Sequence, residues 1–262
     1  MKKIIGPCAL YYANTFDVLP ELETDSVNWC VTSPPYNLRK VNSDPKKSKS
    51  KINLKRAEVY EQWYDDEMPE NLYQKEQKQL IKQLLRICTD SIFYNHMIRY
   101  NSNLERGYIH PLEWLRAFPI WTEIIWDKCG ANAPPTHRYA TSHELIYQIQ
   151  KPRKADKSLG ILDVWRIPMQ SGTGHVCSFP EKLVHNCLSP HAALEDIVID
   201  PYMGSGTVGV VAIELGLNFI GIENKKENFK LSCSRIQKAY DKQSSSLGFI
   251  TRTHSSDGRK SK

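Results

Sequence analysis

The chain of 262 residues has a net charge of +6 and is 40% hydrophobic, which is enough apolar sequence to bury the core of one large domain. Its seven cysteines are scattered and never spaced as Cys-x-x-Cys, which argues against a disulfide framework and a structural zinc site. Residues 1–7 lack the long apolar region of a signal peptide, and no apolar run reaches about 18 residues, so we expect no membrane span and a cytoplasmic location.

Predicted strands and helices alternate along most of the chain. Apolar runs and alternating patterns predict strands over residues 4–12, 27–31, 92–94, 123–126, 143–149, 197–199 and 219–222. Helical spacing of apolar residues predicts helices over residues 74–88, 111–118, 180–188, 208–215 and 225–240. This alternation predicts a mostly parallel sheet with helices on both faces, in a single α/β domain over residues 1–240. Residues 241–262, rich in Ser, Lys and Arg, are predicted to form a flexible basic tail.

The tetrapeptide Ser33-Pro34-Pro35-Tyr36 follows the strand predicted at residues 27–31. Two consecutive prolines cannot continue a strand ladder, so the backbone must leave the sheet at the carboxyl end, where open α/β sheets bind ligands. The Ser33 hydroxyl and the Pro34 carbonyl can accept hydrogen bonds from an amino group, and Tyr36 offers a flat ring beside them. Taken alone, the tetrapeptide is better explained as an ordinary Pro-Pro turn.

Positive charge is concentrated directly after Tyr36. Eight Lys or Arg residues and one Asp lie between positions 37 and 56, within a stretch predicted to be a basic mobile loop over residues 37–73. Such a segment predicts a polyanionic partner, most simply nucleic acid, although a lysine run is more commonly a solvated loop without a partner. The candidate contact residues are Arg39, Lys40, Lys46 and Lys47.

A second motif lies between the strand predicted at 197–199 and the helix predicted at 208–215, and reads Asp200-Pro201-Tyr202-Met203-Gly204-Ser205-Gly206-Thr207. Its glycines allow a tight turn and close approach of a ligand, and the free N–H groups of the helix start suit a carboxylate or phosphate. Glu223 ends the next predicted strand, near the roughly 20-residue offset at which an acid reaches ribose hydroxyls. The chain contains no Gly-Lys-Ser or Gly-Lys-Thr, which excludes a phosphate-binding loop.

The two motifs together require an adenosine-bearing ligand beside an amine. Methyl transfer from S-adenosylmethionine to the exocyclic amine of a base satisfies both requirements. At this point the chain resembles the amino-methylating DNA methyltransferases, which act on cytosine N4 or adenine N6. The resemblance rests on Ser33-Pro34-Pro35-Tyr36 and on residues 200–207, in the motif order of the permuted beta-type group, and is extended by residues 124–128, 143–147 and 178–183.

This resemblance implies a Rossmann-like S-adenosylmethionine-dependent methyltransferase fold, with a mostly parallel seven-stranded sheet and a circularly permuted motif order. It implies S-adenosyl-L-methionine as cofactor, double-stranded DNA as substrate, and a cognate restriction endonuclease acting separately in a prokaryotic or phage-infected cell. Residues 150–175 are the candidate target-recognition insert. The eight histidines do not cluster, and no metal is expected.

The resemblance also assigns roles to individual residues. The catalytic residues are Ser33, Pro34, Pro35 and Tyr36. Ala13-Asn14 stand where many members carry Gly-Asp, so that Asn14 or Asp17 would replace the usual acid. The cofactor-binding residues are Asn14, Phe179, Pro180, Asp200, Pro201, Tyr202, Gly204, Ser205, Gly206, Thr207, Glu223 and Asn224.

The expected mechanism begins with a base swung out of its stack. Tyr36 stacks on this base, while Ser33 and the Pro34 carbonyl accept hydrogen bonds from its amine. Ser at the first motif position favours cytosine N4, because the adenine enzymes of the family more often carry Asp there. The alternatives are an adenine-N6 DNA methyltransferase, an RNA or protein amine methyltransferase, and a non-catalytic DNA-binding relic.

Overall fold

Eleven strands and six α-helices occur in the computed structural model, which describes residues 1–38, 68–100, 107–130, 139–150, 161–169 and 180–255. The strands are β1 (Lys2–Ile5), β2 (Cys8–Tyr12), β3 (Trp29–Thr32), β4 (Ser91–His96), β5 (Arg99–Tyr100), β6 (Tyr108–Ile109), β7 (Ile120–Asp127), β8 (His143–Gln150), β9 (Val164–Arg166), β10 (Ile197–Asp200) and β11 (Asn218–Glu223). The helices are α1 (Thr15–Val18), α2 (Glu70–Ile87), α3 (Leu112–Leu115), α4 (Glu181–Leu188), α5 (Thr207–Glu214) and α6 (Lys226–Ser255), with a 3₁₀ turn at Leu19–Glu21.

One mixed sheet organises the molecule. Its nine described strands run in the order β1-β2-β11-β10-β3-β4-β8-β7-β9, and β5 pairs with β6 in a separate two-stranded sheet. The central strands β2, β11, β10, β3 and β4 are mutually parallel. Strands β1 and β8 run antiparallel to their central neighbours, and the edge strand β9 is parallel to β7.

The two faces of the sheet are covered by helices from different parts of the chain. Neighbouring residues on β10 point to opposite faces, as strand geometry requires. Val198 belongs to the core cluster that contains residues of α4, α5 and α6. Ile199 belongs to the cluster that contains residues of α2 and α3. The sheet is therefore a middle layer between two helical layers.

Helix α2 forms because its apolar residues recur at three- and four-residue spacing. Tyr73, Leu80, Ile81, Leu84 and Ile87 are all buried, whereas the residues between them are mostly polar. Helix α5 is apolar on nearly every side, since it packs between the sheet and its neighbours α4 and α6.

The sheet has more strands than the seven that were predicted, and that prediction was wrong. Residues 4–12, predicted as one strand, form the hairpin of β1 and β2, because Gly6 takes a positive φ of 50° and reverses the chain. The second addition is β9, which lies within the candidate insert at residues 150–175 and pairs with β7. The insert thus contributes to the sheet edge at residues 164–166.

Three helices differ from their predicted bounds by more than one residue. Helix α2 begins at Glu70 instead of residue 74, so the end of the predicted loop 37–73 is helical. Helix α3 is confined to Leu112–Leu115, within the longer helix predicted at 111–118. Helix α6 continues through residues 241–255, where a flexible tail was predicted. Among the described residues, no helix combines the length and apolar composition that crossing a membrane requires.

Candidate active site

The strand order reverses between β3 and β10. From β3 the chain passes to α2 on one face and returns as the neighbouring strand β4, whereas from β10 it passes to α5 on the other face and returns as β11. The carboxyl ends of β3 and β10 therefore border a crevice of the kind in which open α/β sheets bind ligands. The predicted motifs start at these two ends, with Ser33 following β3 and Asp200 closing β10.

A buried hydrogen bond joins the two motifs. The Thr32 hydroxyl donates to Asp200 Oδ1 at 2.9 Å, and the side chains are 0% and 3% exposed. The same carboxylate oxygen accepts the main-chain N–H of Tyr202 at 3.0 Å. Burial raises the pKa of Asp200 to about 7. Residues separated by most of the chain therefore meet at one point of the sheet edge.

The Ser33–Tyr36 corner is held by Asn95 from the neighbouring strand β4. Ser33 Oγ and the Tyr36 hydroxyl are 2.6 Å apart, and the Tyr36 hydroxyl donates to Asn95 Oδ1 at 2.6 Å. Asn95 Nδ2 donates to the Leu145 carbonyl at 3.0 Å, which fixes the orientation of the amide. Asn95 therefore presents its oxygen, an acceptor, to both hydroxyl groups.

This orientation determines what the corner can do chemically. Because Asn95 Oδ1 attracts the hydroxyl protons of Ser33 and Tyr36, the lone pairs of Ser33 Oγ are left to accept. A ligand that donates a hydrogen bond, such as an amino group, fits this polarity better than a carbonyl. The Asn95 network therefore strengthens the acceptor character that the sequence suggested for Ser33.

A charge pair lies on the other side of Tyr36. Glu144, near the start of β8, places Oε2 3.1 Å from the Tyr36 hydroxyl, as an alternative acceptor for its single proton, and pairs with Lys128 through Oε1 at 3.0 Å. The Glu144 and Lys128 side chains are 12% and 17% exposed, so solvent screens this pair only weakly. The pair supplies a second acceptor that orients Tyr36.

The ring of Tyr36 rests against His96. The ring centroids are 4.6 Å apart with an interplanar angle of 39°. Burial lowers the pKa of His96 to about 3, which keeps the imidazole neutral near pH 7. The Tyr73 hydroxyl contacts His96 Nε2 at 2.7 Å and also lies 2.8 Å from the Pro35 carbonyl. The double-proline corner is thus supported from α2 as well as from β4.

Asn37 closes the corner on its C-terminal side. It has a positive φ of 55°, and its amide makes two hydrogen bonds to the main chain of Met68, at 2.8 and 2.9 Å. Arg99 donates to the Asn37 carbonyl and forms a two-pronged ion pair with Glu70, with both N–O distances at 2.7 Å. Asn37 and Met68 are therefore held together beside Tyr36. The basic segment, the charged stretch that begins at position 39, lies between these two residues in the chain.

The glycine bend lies between β10 and α5. Gly204 and Gly206 have φ values of 51° and 81°, a conformation that glycine adopts without strain. The Gly204 N–H donates to Glu223 Oε2 at 2.9 Å, and Lys225 N–H donates to Glu223 Oε1 at 2.7 Å. Burial raises the pKa of Glu223. The acid at the end of β11 is thereby oriented by the bend itself.

The other predicted cofactor residues lie around this bend or next to it. The side chains of Ser205 and Thr207 are buried and accept hydrogen bonds from Arg235 of α6, so only their main-chain groups are left for a ligand. Asn14 caps α1 by accepting the Phe16 N–H at 2.8 Å, and it follows β2, which pairs with β11. The remaining described members of the predicted set are Pro180, Pro201, Tyr202 and Asn224.

The donor and acceptor set of this bend fits S-adenosylmethionine. Helix α5 begins directly after Gly206, and its first N–H groups lack partners within the helix, so they suit a carboxylate. Glu223 offers the acceptor oxygens that ribose hydroxyls require. Among the described residues, no group of three His, Cys, Asp or Glu side chains is arranged to hold a metal ion.

Several predicted residues lie outside the described part of the chain. They are Arg39, Lys40, Lys46, Lys47 and Phe179. Conversely, Asn95, His96 and Arg235 belong to the site but were not predicted from the sequence. The polar pair Asn95-His96 at the end of an apolar strand was the available signal for β4, since polar residues at a carboxyl strand end face the ligand crevice. Arg235 carries no such signal, because it looks like any cation on an amphipathic helix.

The fold and the two motif loops define an α/β protein of the kind that binds ligands at the carboxyl ends of its strands. A family model described as DNA methylase, and named for N6 and N4 methyltransferases, matches residues 27–234. The chain belongs to this DNA methylase family, and the family predicted from the sequence is confirmed.

Bacterial relatives align with most of the chain. M.XycI of Xanthomonas campestris pv. cyanopsidis, a type II methyltransferase, is 27% identical over 89% of this chain and 89% of its own length. M2.DpnII of Streptococcus pneumoniae, also a type II methyltransferase, is 24% identical over 87% of this chain and 89% of its own.

Solved structures share the fold. The PvuII DNA methyltransferase, described as cytosine-N4-specific, has a TM-score of 0.69 at 16% identity and covers 91% of this chain and 93% of its own. A Thermus thermophilus protein complexed with S-adenosyl-L-methionine has a TM-score of 0.61 at 18% identity, with 88% and 93% covered. These likenesses confirm the predicted methyltransferase fold class.

Proposed function

We propose that this protein transfers a methyl group from S-adenosyl-L-methionine to the N4 amine of a cytosine in duplex DNA. The observation that carries the proposal is the Thr32–Asp200 hydrogen bond, because it brings the amine-accepting corner and the glycine bend to adjacent strand ends. Membership of the DNA methylase family supports the reaction class. The choice of cytosine rests on Ser33, whose hydroxyl stands where adenine enzymes more often have a carboxylate.

The chain's own groups around the bend would hold the cofactor. Glu223 would accept hydrogen bonds from the ribose, the N–H groups at the start of α5 would bind the methionine carboxylate, and Asn14 and Asn224 would face the nucleoside. Asp200 holds the bend in place by accepting hydrogen bonds from the Thr32 hydroxyl and the Tyr202 N–H. When bound, S-adenosylmethionine supplies an electrophilic methyl group.

The corner positions the base that receives the methyl group. Tyr36 stacks on a cytosine that has left the duplex, with His96 supporting its ring. Ser33 Oγ and the Pro34 carbonyl would accept hydrogen bonds from the two amine N–H groups, which orients the nitrogen lone pair. When the methyl group has moved to this nitrogen, the cofactor leaves as S-adenosylhomocysteine and the surplus amine proton passes to solvent. The contribution to rate is orientation and exclusion of water, and the reaction requires no covalent enzyme intermediate.

The basic segment after Tyr36 contacts the DNA backbone in this proposal. Its candidate residues are Arg39, Lys40, Lys46 and Lys47, and the segment starts and ends at the Asn37–Met68 pair beside the site. Residues 150–175 are the proposed target-recognition insert. The partner that we propose is a restriction endonuclease of the same specificity, as the resemblance to type II methyltransferases suggests.

Nucleoside analysis of methylated DNA tests the function. Purified protein, methyl-tritiated cofactor and mixed-sequence duplex DNA should yield N4-methylcytosine, detected by mass spectrometry after digestion. N6-methyladenine without N4-methylcytosine would reverse the choice of base. Labelled RNA or protein with unlabelled DNA would contradict the DNA reaction, and no cofactor binding would indicate a non-catalytic DNA-binding protein.

Two substitutions test the catalytic corner. Ser33→Ala and Tyr36→Ala should each lower turnover by at least about 100-fold, because both the amine acceptor and the stacking ring act by positioning. Cofactor affinity, measured by calorimetry, should remain near that of the wild type, since both side chains are held by residues of β4 and β8 and belong to the corner proposed to bind the base. Wild-type turnover in both variants would end the proposed mechanism.

A further inference from the structure

Arg235 of helix α6 forms hydrogen bonds to the glycine bend. Its Nη1 donates to the Ser205 carbonyl and to Ser205 Oγ, both at 2.9 Å, and to Thr207 Oγ1 at 3.1 Å. Ser205 lies between the two positive-φ glycines, and Thr207 is the first residue of α5. One guanidinium nitrogen therefore contacts the residues on both sides of Gly206, through the main chain of Ser205 and the side chain of Thr207.

The other end of the guanidinium reaches a second segment of the site. Nη2 of Arg235 lies 3.2 Å from Oε1 of Glu181. Glu181 is the first residue of α4 and directly follows Pro180. The planar guanidinium therefore links the glycine bend to the start of α4, and a lysine ammonium could not span both contacts in the same geometry. The bend belongs to the proposed cofactor site, and Pro180, which precedes α4, is among the cofactor-binding residues predicted from the sequence.

Helix α6 does not depend on Arg235 for docking. Its apolar residues Phe229, Cys233 and Ile236 are buried in the core cluster, where they hold the helix on the sheet. Arg235 is 18% exposed and lies at the margin of that contact. Most of its hydrogen bonds are made to the bend, a loop whose two glycines leave many alternative backbone conformations accessible.

We infer that Arg235 is a positioning residue for the cofactor site, which holds Gly204–Thr207 in the conformation that directs the N–H groups of the α5 start toward the ligand. The inference rests on the proposed use of S-adenosylmethionine. It assigns Arg235 no contact with the cofactor. Because Arg235 already orders the bend, cofactor binding loses less free energy to ordering this loop.

Cofactor affinity of Arg235 variants tests the inference. Arg235→Met should raise the calorimetric Kd for S-adenosylmethionine by about tenfold or more, as expected for losing hydrogen bonds to a charged group. Arg235→Lys, which keeps the charge but loses the fork, should also bind more weakly than wild type. If Arg235→Met does not fold, the Kd of Arg235→Lys tests the inference instead. Turnover at saturating cofactor should change much less than Kd.

Gln243→Met is the matched control. Gln243 lies on the same helix and donates to the Ile213 carbonyl of α5, away from the bend. This variant should lose thermal stability without any change in the Kd for cofactor. Wild-type affinity in both Arg235 variants would overturn the inference, as would an equal loss of affinity in Gln243→Met. Failure of the wild-type protein to bind S-adenosylmethionine would instead overturn the proposed function.

Discussion

At the scale of single residues, the active-site corner depends on which way one amide faces. Asn95 Nδ2 is committed to the Leu145 carbonyl, so its oxygen must face Ser33 and Tyr36. A reversed amide would present donors to both hydroxyls and convert Ser33 into a poorer acceptor. In the proposed function, Asn95 therefore acts through Ser33 and Tyr36, by orienting the hydroxyls that face the amine.

Replacement of Asn95 tests this dependence. Asn95→Leu should lower turnover by roughly 10- to 100-fold, because the hydroxyls of Ser33 and Tyr36 lose the acceptor that orients them. Cofactor Kd should stay within about twofold, since Asn95 is remote from the bend. Steady-state kinetics and calorimetry measure the two quantities separately.

The far end of the same strand pair provides the control. The Ser91 hydroxyl donates to Gln150 Oε1 at 2.7 Å. This buried contact joins the first residue of β4 to the last residue of β8, at the end of the strand pair away from Asn95. Ser91→Ala should lose comparable stability but keep wild-type turnover. Equal losses of turnover in the two variants would mean that Asn95 only stabilises the fold.

At the scale of elements, β3 and β10 are tied together at their carboxyl ends by Thr32 and Asp200. Each strand is too short to fix the direction of the loop that follows it. The buried hydroxyl–carboxyl contact makes the two loops depart in a defined relation to each other. This contact requires the Asp200 carboxyl group to be buried, where ionisation of the group is unfavourable.

The protonation of Asp200 makes a stability prediction. Burial raises the pKa of Asp200 to about 7, whereas the unfolded chain ionises near pH 3.9, so the folded state holds an extra proton between these values. This contribution to stability is complete below about pH 4 and is lost as the pH rises through 7, at up to about 1.4 kcal/mol per pH unit. Asp200→Asn keeps an oxygen acceptor and does not titrate.

The difference in unfolding free energy between Asp200→Asn and wild type isolates this group. It should shift in favour of the variant between pH 5 and pH 8, measured by denaturant titration at each pH. His96, whose pKa is lowered by burial and whose effect has the opposite sign, is present in both proteins and cancels. Parallel curves over this range would show that Asp200 is ionised in the folded state.

At the scale of the whole molecule, two sets of lysines lie at different places relative to the site. Asn37 and Met68, between which the basic segment lies in the chain, are paired beside Tyr36. The exposed lysines Lys2 and Lys3 lie on the edge strand β1, several strands away. If the segment contacts phosphates, then the affinity for DNA should depend on salt, with a slope set by the number of contacts.

Paired lysine variants test this distribution. Lys46→Gln with Lys47→Gln should weaken duplex binding and reduce the slope of log K against log salt by roughly 1 to 2 units, as expected for one or two lost phosphate contacts. Lys2→Gln with Lys3→Gln removes the same charge from the far edge and should leave the slope unchanged. Equal slopes in all proteins, measured by fluorescence anisotropy, would remove the basic segment from the interface.

The sequence by itself determined the class of fold and the two motifs. Alternating strand and helix patterns specify a parallel sheet, and Pro34-Pro35 and Gly204/Gly206 force the chain to turn at strand ends, because these effects are local to the backbone. Local signals are weaker where packing decides. The hairpin of β1 and β2, the short strand β9 and the continuation of α6 to Ser255 were not predicted for that reason.

Only the tertiary structure decided how the motifs meet and what supports them. The contacts of Thr32 with Asp200, of Asn95 with Tyr36 and of Arg235 with Ser205 join residues that are distant in the chain. No spacing rule predicts such contacts, since they depend on the order of strands in the sheet and on which face each helix covers. The sequence determined the two motifs, and the strand order determined that the loops carrying them leave the sheet at neighbouring strand ends.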